Sequence, residues 1–357
     1  MEKVSLGVMP FDEPGASQVL REVLDRGAFQ ASSDPELLSE ADAVVVVIGT
    51  PIDKHLNPEA MEVPGEIAKL SRYFVDGQLL VLRSTLYPGV TAMVEQQLAA
   101  GPCKIDVAFC PERIAQGKAM EELFSLPQLV SGRTGEVRSR AASLFRHLTD
   151  EIVELMPEEA ELAKLFTNTW RYIKFAAANQ LFMIANDFGL DYSKIRDALT
   201  QEYPRAQDLP SAGLAAGPCL LKDTMQLAAF NNNQFTLGNA AMLINEGLPL
   251  YTVARLESRF NLSELTVGIL GMAFKAESDD IRSSLSYRLR RILAFKAKRV
   301  LCTDPYVTID PNLVPLDQVL RESDLLVIGA AHDAYREIQT NLPVVDLTNL
   351  RGKGSLV

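Results

Sequence analysis

The segment GPCLLKDT, Gly217 to Thr224, sets a cysteine in a small-residue loop directly before a helical pattern, KDTMQLAAF. Proline is favoured where a helix starts, so Pro218 marks the entry. A thiol at a helix N-terminus with Lys222 nearby is biased toward the thiolate, the nucleophilic form. Asp223 follows Cys219 by four residues and returns to the same helix face. An isolated cysteine at a helix start is more commonly a buried structural residue. Cys219 therefore needs support from the rest of the chain.

A second constellation lies in EAELAKLFTNTWR. Lys164, Asn168 and Arg171 fall at i, i+4 and i+7 and share one stripe of a helix. Their neighbours Leu162, Ala163, Leu165 and Phe166 are apolar. A polar stripe on a mostly buried helix requires a partner or a ligand. The alternative is a solvated stripe or an ion pair with Glu161.

Three loops follow strand patterns. Gly49, Thr50 and Pro51 follow AVVVVI, STLYPG (Ser84 to Gly89) follows QLLVLR, and Glu112 stands just past DVAFC. Ligands of doubly wound sheets lie beyond the carboxyl ends of the strands. These loops are placed to line a cofactor crevice, and Glu112 is placed to act as a base or, more plainly, to approach a helix N-terminus. The segment GILGMAFKAESDDIRSS, residues 268–284, also follows a strand. Lys275 and Arg282 could hold phosphates there. The alternative is that Asp280 caps the next helix and both cations are solvated.

The elements that must position these residues form three blocks. Residues 1–157 alternate helical patterns with strand patterns at 43–49, 78–84, 106–110, 128–132 and 151–155. Continuous apolar strands between helices predict a parallel sheet covered on both faces, a doubly wound α/β domain. Residues 158–260 carry no strand signal. A long helical pattern, apolar almost all round in its later part, and a second at about 234–259 must be buried in a core or against another subunit. Residues 261–357 return to α/β, with strands at 265–271, 299–304, 324–330 and 343–347. A chain of 357 residues accommodates three such domains.

Composition narrows the function. Hydrophobic residues make up 47% and charged residues 23%, ordinary for a soluble globular protein. No apolar run reaches the ~18 residues of a membrane span, and the N-terminus does not have the pattern of a signal peptide. A cytoplasmic location is expected, without a membrane partner. The net charge of −11 with no basic stripe argues against nucleic acid. It leaves room for a nucleotide, whose diphosphate needs only a few cations and helix N-termini. Four scattered cysteines and three histidines argue against a disulfide framework and against a metal site.

Taken together and in order, MPFxEPG, IGTP, STxxPG, PER, KLxxN, GPCxxKD, GxAFKxxxDDxR and DPYV resemble the UDP-glucose/UDP-N-acetylmannosamine/GDP-mannose dehydrogenase family. The match spans essentially the whole chain. The resemblance implies two Rossmann-like domains joined by a long-helix central domain, NAD as cofactor, a UDP-sugar as substrate, and a homodimer built on the central helices. It implies a four-electron oxidation of the sugar C6 alcohol to a uronic acid, of the kind used in surface polysaccharide synthesis. In that scheme Cys219 captures the aldehyde as a thiohemiacetal, which is oxidised to a thioester and hydrolysed. Lys164 would stabilise the oxyanion, and Asn168 and Asp223 would bond the reacting oxygen or a water. Glu112 would be the hydrolytic base, with Thr85 placing its water. Gly49, Thr50, Pro51, Ser84, Gln116, Lys222 and Arg282 would serve the cofactor. Lys275, the loop Leu214, Ala215, Ala216 and Gly217, and Arg171 would serve the nucleotide sugar.

The chain also departs from the pattern. Family members open with a strand, a G-x-G-x-x-G turn, a helix and a second strand. The opening VSLGVMPFDEPGA resembles the family's segment just after that second strand, so the N-terminal domain is expected to lack its first βαβ segment, about thirty residues. Either the start is placed too late, or the chain is a catalytically impaired nucleotide-sugar-binding or partner protein. A rival arrangement makes Lys3–Val8 a substitute first strand. Gln116 stands where many UDP-glucose members carry a glutamate. The PER motif and the Trp170–Arg171 pair lean toward the N-acetylhexosamine branch, and the Lys222–Asp223 pair toward the glucose branch.

Overall fold

The computed structural model describes residues 2–11, 13–53, 55–215, 217–355 and 357. The chain divides into two compact units. The first comprises Met1–Asn168 and Lys222–Gln234, the second Thr169–Leu221 and Phe235–Val357.

The first unit holds strands β1 (Ala43–Val46), β2 (Leu79–Leu82), β3 (Asp106–Phe109), β4 (Gln128–Gly132) and β5 (Ile152–Leu155), side by side in that order. Successive residues of a strand face opposite sides, and β2 uses both. Leu80 and Leu82 pack with Ile67 and Val94 on one face, and Leu79 and Val81 with Ala141 and Phe145 on the other. This is why LLVL carries no polar residue. The helices Glu62–Leu70 and Val90–Ala99 cover the first face and Gly135–Phe145 the second.

Two expectations need correction. The sheet is not wholly parallel, because β3 and β4 pair antiparallel, Ala108 opposite Gly132 and Phe109 opposite Ser131. The link between them, residues 110–127, carries the seven-residue helix Ala119–Ser125, and the chain re-enters the sheet beside β3 in the opposite direction. Nor is Lys3–Val8 a strand: the helix Glu2–Ser5 and a turn occupy it. Among the described residues β1 is an edge strand, with Val45 and Val47 exposed.

The second unit holds β6 (Thr266–Leu270), β7 (Arg299–Thr303), β8 (Leu325–Ile328) and β9 (Val344–Val345), all parallel in the order β7-β6-β8-β9. The order reverses at β6, the mark of a doubly wound sheet. Ile269, Val267 and Val327 meet Phe182, Leu248 and Leu256 in one core. The last three come from the helices Pro157–Asp187 and Thr236–Glu257. Pro157–Asp187 runs for 31 residues and contributes to both units. Among the described residues no helix is long and apolar enough to cross a membrane.

Candidate active site

In the first unit the parallel strands β1, β2 and β3 deliver their following loops to one end of the sheet. Ser84 accepts the Ile48 N–H on its Oγ at 2.6 Å, joining the loops after β1 and β2. The Glu112 N–H donates to the Arg83 carbonyl at 3.3 Å, joining those after β2 and β3. A Cβ added to Gly49 or Gly89 would meet nothing within 4 Å, so both glycines border open space. Thr85 and Gln116 are half-buried in the same loops, and Pro51 is exposed.

Glu112 is more tightly held than its sequence position suggests. Its Oε2 pairs with the Arg83 guanidinium, and its Oε1 accepts the N–H groups of Arg113 (2.7 Å) and Ile114 (2.9 Å). Arg83 also donates to the Cys110 carbonyl at 3.0 Å and to Gln128 at 3.1 Å, and it stacks 4.6 Å from the Phe145 ring centre. The geometry fixes where the carboxylate points.

A buried polar chain runs through the rest of this unit. Asn168 donates to Asp223 Oδ2 at 2.5 Å, and Lys222 lies 2.7 Å from Asp223 Oδ1 and donates to Thr50 Oγ1 at 3.2 Å. That ammonium is the ion-pair partner of Oδ1, a fully buried oxygen that accepts no further hydrogen bond. A carboxylate oxygen has more than one lone pair, so Oδ1 keeps acceptor capacity beyond its ion pair. Lys164 is half-buried and Asn168 buried, whereas Arg171, the third member of the predicted stripe, is exposed. Glu161, the alternative partner for that stripe, is engaged elsewhere. It accepts the N–H groups of Gly89 (2.7 Å) and Thr91 (2.8 Å) and the Thr91 hydroxyl, capping the helix Val90–Ala99. Burial pushes its carboxyl up, against those hydrogen bonds.

In the second unit Cys219 is exposed and directly precedes the helix Leu220–Phe230. The loop before it is fixed at two points. Asn179 of the long helix accepts the Gly213 N–H at 2.9 Å and donates to the Gly213 carbonyl at 3.1 Å, and Asn245 braces Asn179 at 2.9 Å. Gly217, at φ 112°, lies so close to Phe274 that an added Cβ would sit 2.7 Å from the ring. Leu214 is half-buried and Ala215 buried, while Ala216 lies outside the described residues. Phe274 precedes Lys275, whose ammonium is 6.0 Å from the Phe274 ring centre. The cysteine loop and the Lys275 loop are thus packed on each other.

Lys275 occupies the loop after β6, at the reversal of strand order where nucleotides bind in such sheets. Arg282 makes a bidentate pair with Asp280, with contacts of 2.6 and 3.0 Å. That pairing holds the guanidinium above its usual range, with a smaller contribution from nearby Cys219. Asp280 therefore does not cap the next helix. Ser284 does, accepting the Ser286 N–H at 3.2 Å ahead of Leu285–Lys296. Among the described residues no group of three or more His, Cys, Asp or Glu side chains is arranged to hold a metal.

Sequence reasoning missed Arg83, Asn179 and Asn245. Each is a polar residue in an apolar run, which was the available signal, but their partners are far away in sequence.

One sheet joined to a buried Asn–Asp–Lys chain, and another with a lysine loop at its strand-order reversal, is the arrangement of a nucleotide-using α/β protein. The chain belongs to the UDP-glucose/GDP-mannose dehydrogenase family. The family's NAD binding domain matches residues 1–149, its central domain 158–247 and its UDP binding domain 268–351. NAD is accordingly its cofactor. The UDP-N-acetyl-D-mannosamine dehydrogenase of Yersinia pestis is 28% identical over 370 residues, covering 95% of this chain and 87% of that protein. That of Pyrococcus horikoshii is 28% identical over 351 residues, covering 95% and 82%. A UDP-glucose dehydrogenase structure from Pyrobaculum islandicum superposes with a TM-score of 0.90 at 26% identity, covering 98% of this chain and 86% of that one.

Proposed function

We propose that this protein oxidises the C6 alcohol of a UDP-N-acetylhexosamine, with UDP-N-acetyl-D-mannosamine the first candidate, to the uronic acid. The observation that carries this reading is the match of all three family domains in order over one chain, together with relatives named for that substrate. The chemistry NAD would supply when bound is hydride acceptance from C6, two equivalents per sugar. Gly49, Thr50, Pro51 and Ser84 would line its site, with Lys222 reaching Thr50; Gln116 and Arg282 would complete the contacts.

Cys219 would add its sulfur to the C6 aldehyde, forming a C–S bond as the carbonyl oxygen takes up the electron pair. Lys164 would stabilise that oxyanion. Asp223 Oδ1, on a carboxylate anchored through Asn168, would accept a proton-bearing oxygen of the sugar or a water. After the second oxidation, water would cleave the C–S bond of the thioester, returning the thiol and releasing the acid. Glu112 would take the proton from that water, and Thr85 would orient it. Lys275 would contact the diphosphate, with Arg171 and the loop from Leu214 to Gly217 along the sugar. The balance is one alcohol, two NAD and one water giving one carboxylate, two NADH and three protons.

The domain boundaries belong to the same reading, 1–157, 158–260 and 261–357. So do a cytoplasmic location and a homodimer. Leu181, Ile184, Leu243 and Leu250 stand exposed on the two long helices, which supports a protein partner there. Light scattering of the purified chain would show a monomer if the dimer is wrong.

Incubation with NAD and a panel of UDP-N-acetylmannosamine, UDP-N-acetylglucosamine, UDP-glucose and GDP-mannose tests the activity. The expected yield is about two NADH per sugar. Acid formation should be abolished by Cys219→Ser. Absence of NADH with every sugar would sink the proposal.

A further inference from the structure

His332 and Asp304 form a buried pair at the carboxyl end of the second sheet, and no step of the proposed oxidation uses them. Both side chains are fully shielded, with His332 Nε2 3.0 Å from Asp304 Oδ2. The other ring nitrogen, Nδ1, accepts the Glu277 N–H at 2.9 Å. The proton therefore resides on Nε2, and neither nitrogen is free for chemistry. A catalytic His–Asp dyad is excluded on that ground, and the question becomes what the pair holds.

Each contact leads to one segment. Asp304 Oδ2 also accepts the N–H groups of Met272 (2.6 Å) and Ala273 (3.0 Å), the two residues after Gly271. Its Oδ1 accepts those of Tyr306 (2.8 Å) and Val307 (3.1 Å). Burial alone would raise the Asp304 carboxyl, but the His332 hydrogen bond and those backbone N–H groups bring it down to about 2. On the far side of the segment Glu277 adopts φ 51°, a conformation that disfavours any side chain. It is held by its N–H on His332, by Asp333 N–H on its Oε1 at 2.8 Å, and by the Tyr306 hydroxyl on its Oε2. Lys275 lies between these two anchor points. The His332 ring joins them, one nitrogen to each.

We propose that His332 is a positioning residue for the nucleotide sugar: through Asp304 and Glu277 it sets the course of residues 271–277 and so places Lys275 against the diphosphate. The inference rests on the reading that Lys275 contacts that diphosphate. It goes beyond that reading by assigning the alignment to a buried histidine that never meets the ligand.

The test is calorimetry with UDP, alongside kcat and KM for the nucleotide sugar and for NAD, on full-length His332→Leu, His332→Gln and Lys275→Ala. His332→Leu should weaken UDP binding and raise the nucleotide-sugar KM about tenfold, the scale of one lost buried hydrogen bond. The NAD KM and kcat should hardly move. Glutamine presents an acceptor and a donor side by side, so His332→Gln should recover most of the affinity. If Lys275→Ala loses UDP affinity while His332→Leu retains it, the positioning role is wrong. If Lys275→Ala itself retains UDP affinity, the reading beneath it is wrong. Should His332→Leu fail to fold, Glu277→Gln and Tyr306→Phe loosen the same anchor from its accessible side. Both should weaken UDP several-fold, and wild-type affinity in both would overturn the proposal.

Discussion

Asn168 donates its amide hydrogen to Asp223 Oδ2 at 2.5 Å, and both side chains are shut away from solvent. The bond joins the long helix to the helix that follows Cys219, leaving Oδ1 with an ion pair but no hydrogen-bond donor. Asp223→Leu should destabilise the protein by about 3 kcal/mol, because Lys222 loses the counter-charge of a buried pair. Asp223→Asn keeps the volume. It should cut turnover about 100-fold, within the range for a lost proton-handling group, with UDP affinity within about twofold. Thermal unfolding and steady-state kinetics separate the two effects, and an unchanged kcat in Asp223→Asn would remove Asp223 from the reaction.

The Gly217–Phe274 contact predicts a rescue. Gly217→Ala places a methyl group 2.7 Å from the ring at a left-handed φ of 112°. The backbone alone should cost about 1–2 kcal/mol, and the displaced loop should lower activity at least about tenfold. Trimming the ring in a Gly217→Ala/Phe274→Leu double variant should return part of the activity but not the backbone cost. A double variant no better than the product of the singles would show that the ring is not what the methyl meets.

Alkylation should sort the cysteines. Burial raises the Cys110 thiol to about 12 and the Cys302 thiol to about 11, and both are enclosed. Cys219 is exposed. Iodoacetamide at pH 8 should label Cys219 well before Cys110 or Cys302 and inactivate in step, with UDP-sugar slowing both. Peptide mass mapping gives the order. Labelling of Cys302 ahead of Cys219 would contradict the packing of the second unit.

Asp304 predicts an acid limb to stability. Its carboxyl lies at about 2, against 3.8 for an unperturbed aspartate, despite its burial. A lowered folded value means that its contribution is fully present above about pH 4 and is lost as pH falls toward 2. The amount is about 2 kcal/mol. Asp304→Asn should be less stable at pH 7, and its urea midpoint should fall less steeply than wild type between pH 4 and pH 2. Parallel curves for the two proteins would refute the assignment.

Local chemistry was the legible part of the site. Cys219, Lys222 and Asp223 are sequence neighbours at a helix start, so spacing alone conveys much of their arrangement. The strands were legible because each is a short apolar run, but a run has no direction, so the antiparallel turn of β4 against β3 was hidden. Arg83 meets Glu112 across 29 residues, and Glu161 meets Gly89 across 72. Such pairings depend on the finished sheet, and along the linear chain both side chains pass for solvated charges. The Ser284 cap was obscured by Asp279 and Asp280, better-looking cap residues upstream, one of which is occupied by Arg282.

Gly271 and Gly329 lie back to back beneath the lysine loop. A Cβ on Gly271 would sit 2.4 Å from the Ala330 oxygen, and one on Gly329 would sit 2.6 Å from the Gly271 oxygen. No side chain can enter the floor of that crevice without moving main chain. For anyone seeking to retune this protein toward another nucleotide, the floor is closed to mutation. A saturation library should recover functional diversity only from the rim, beyond Phe274, while the two floor positions return glycine.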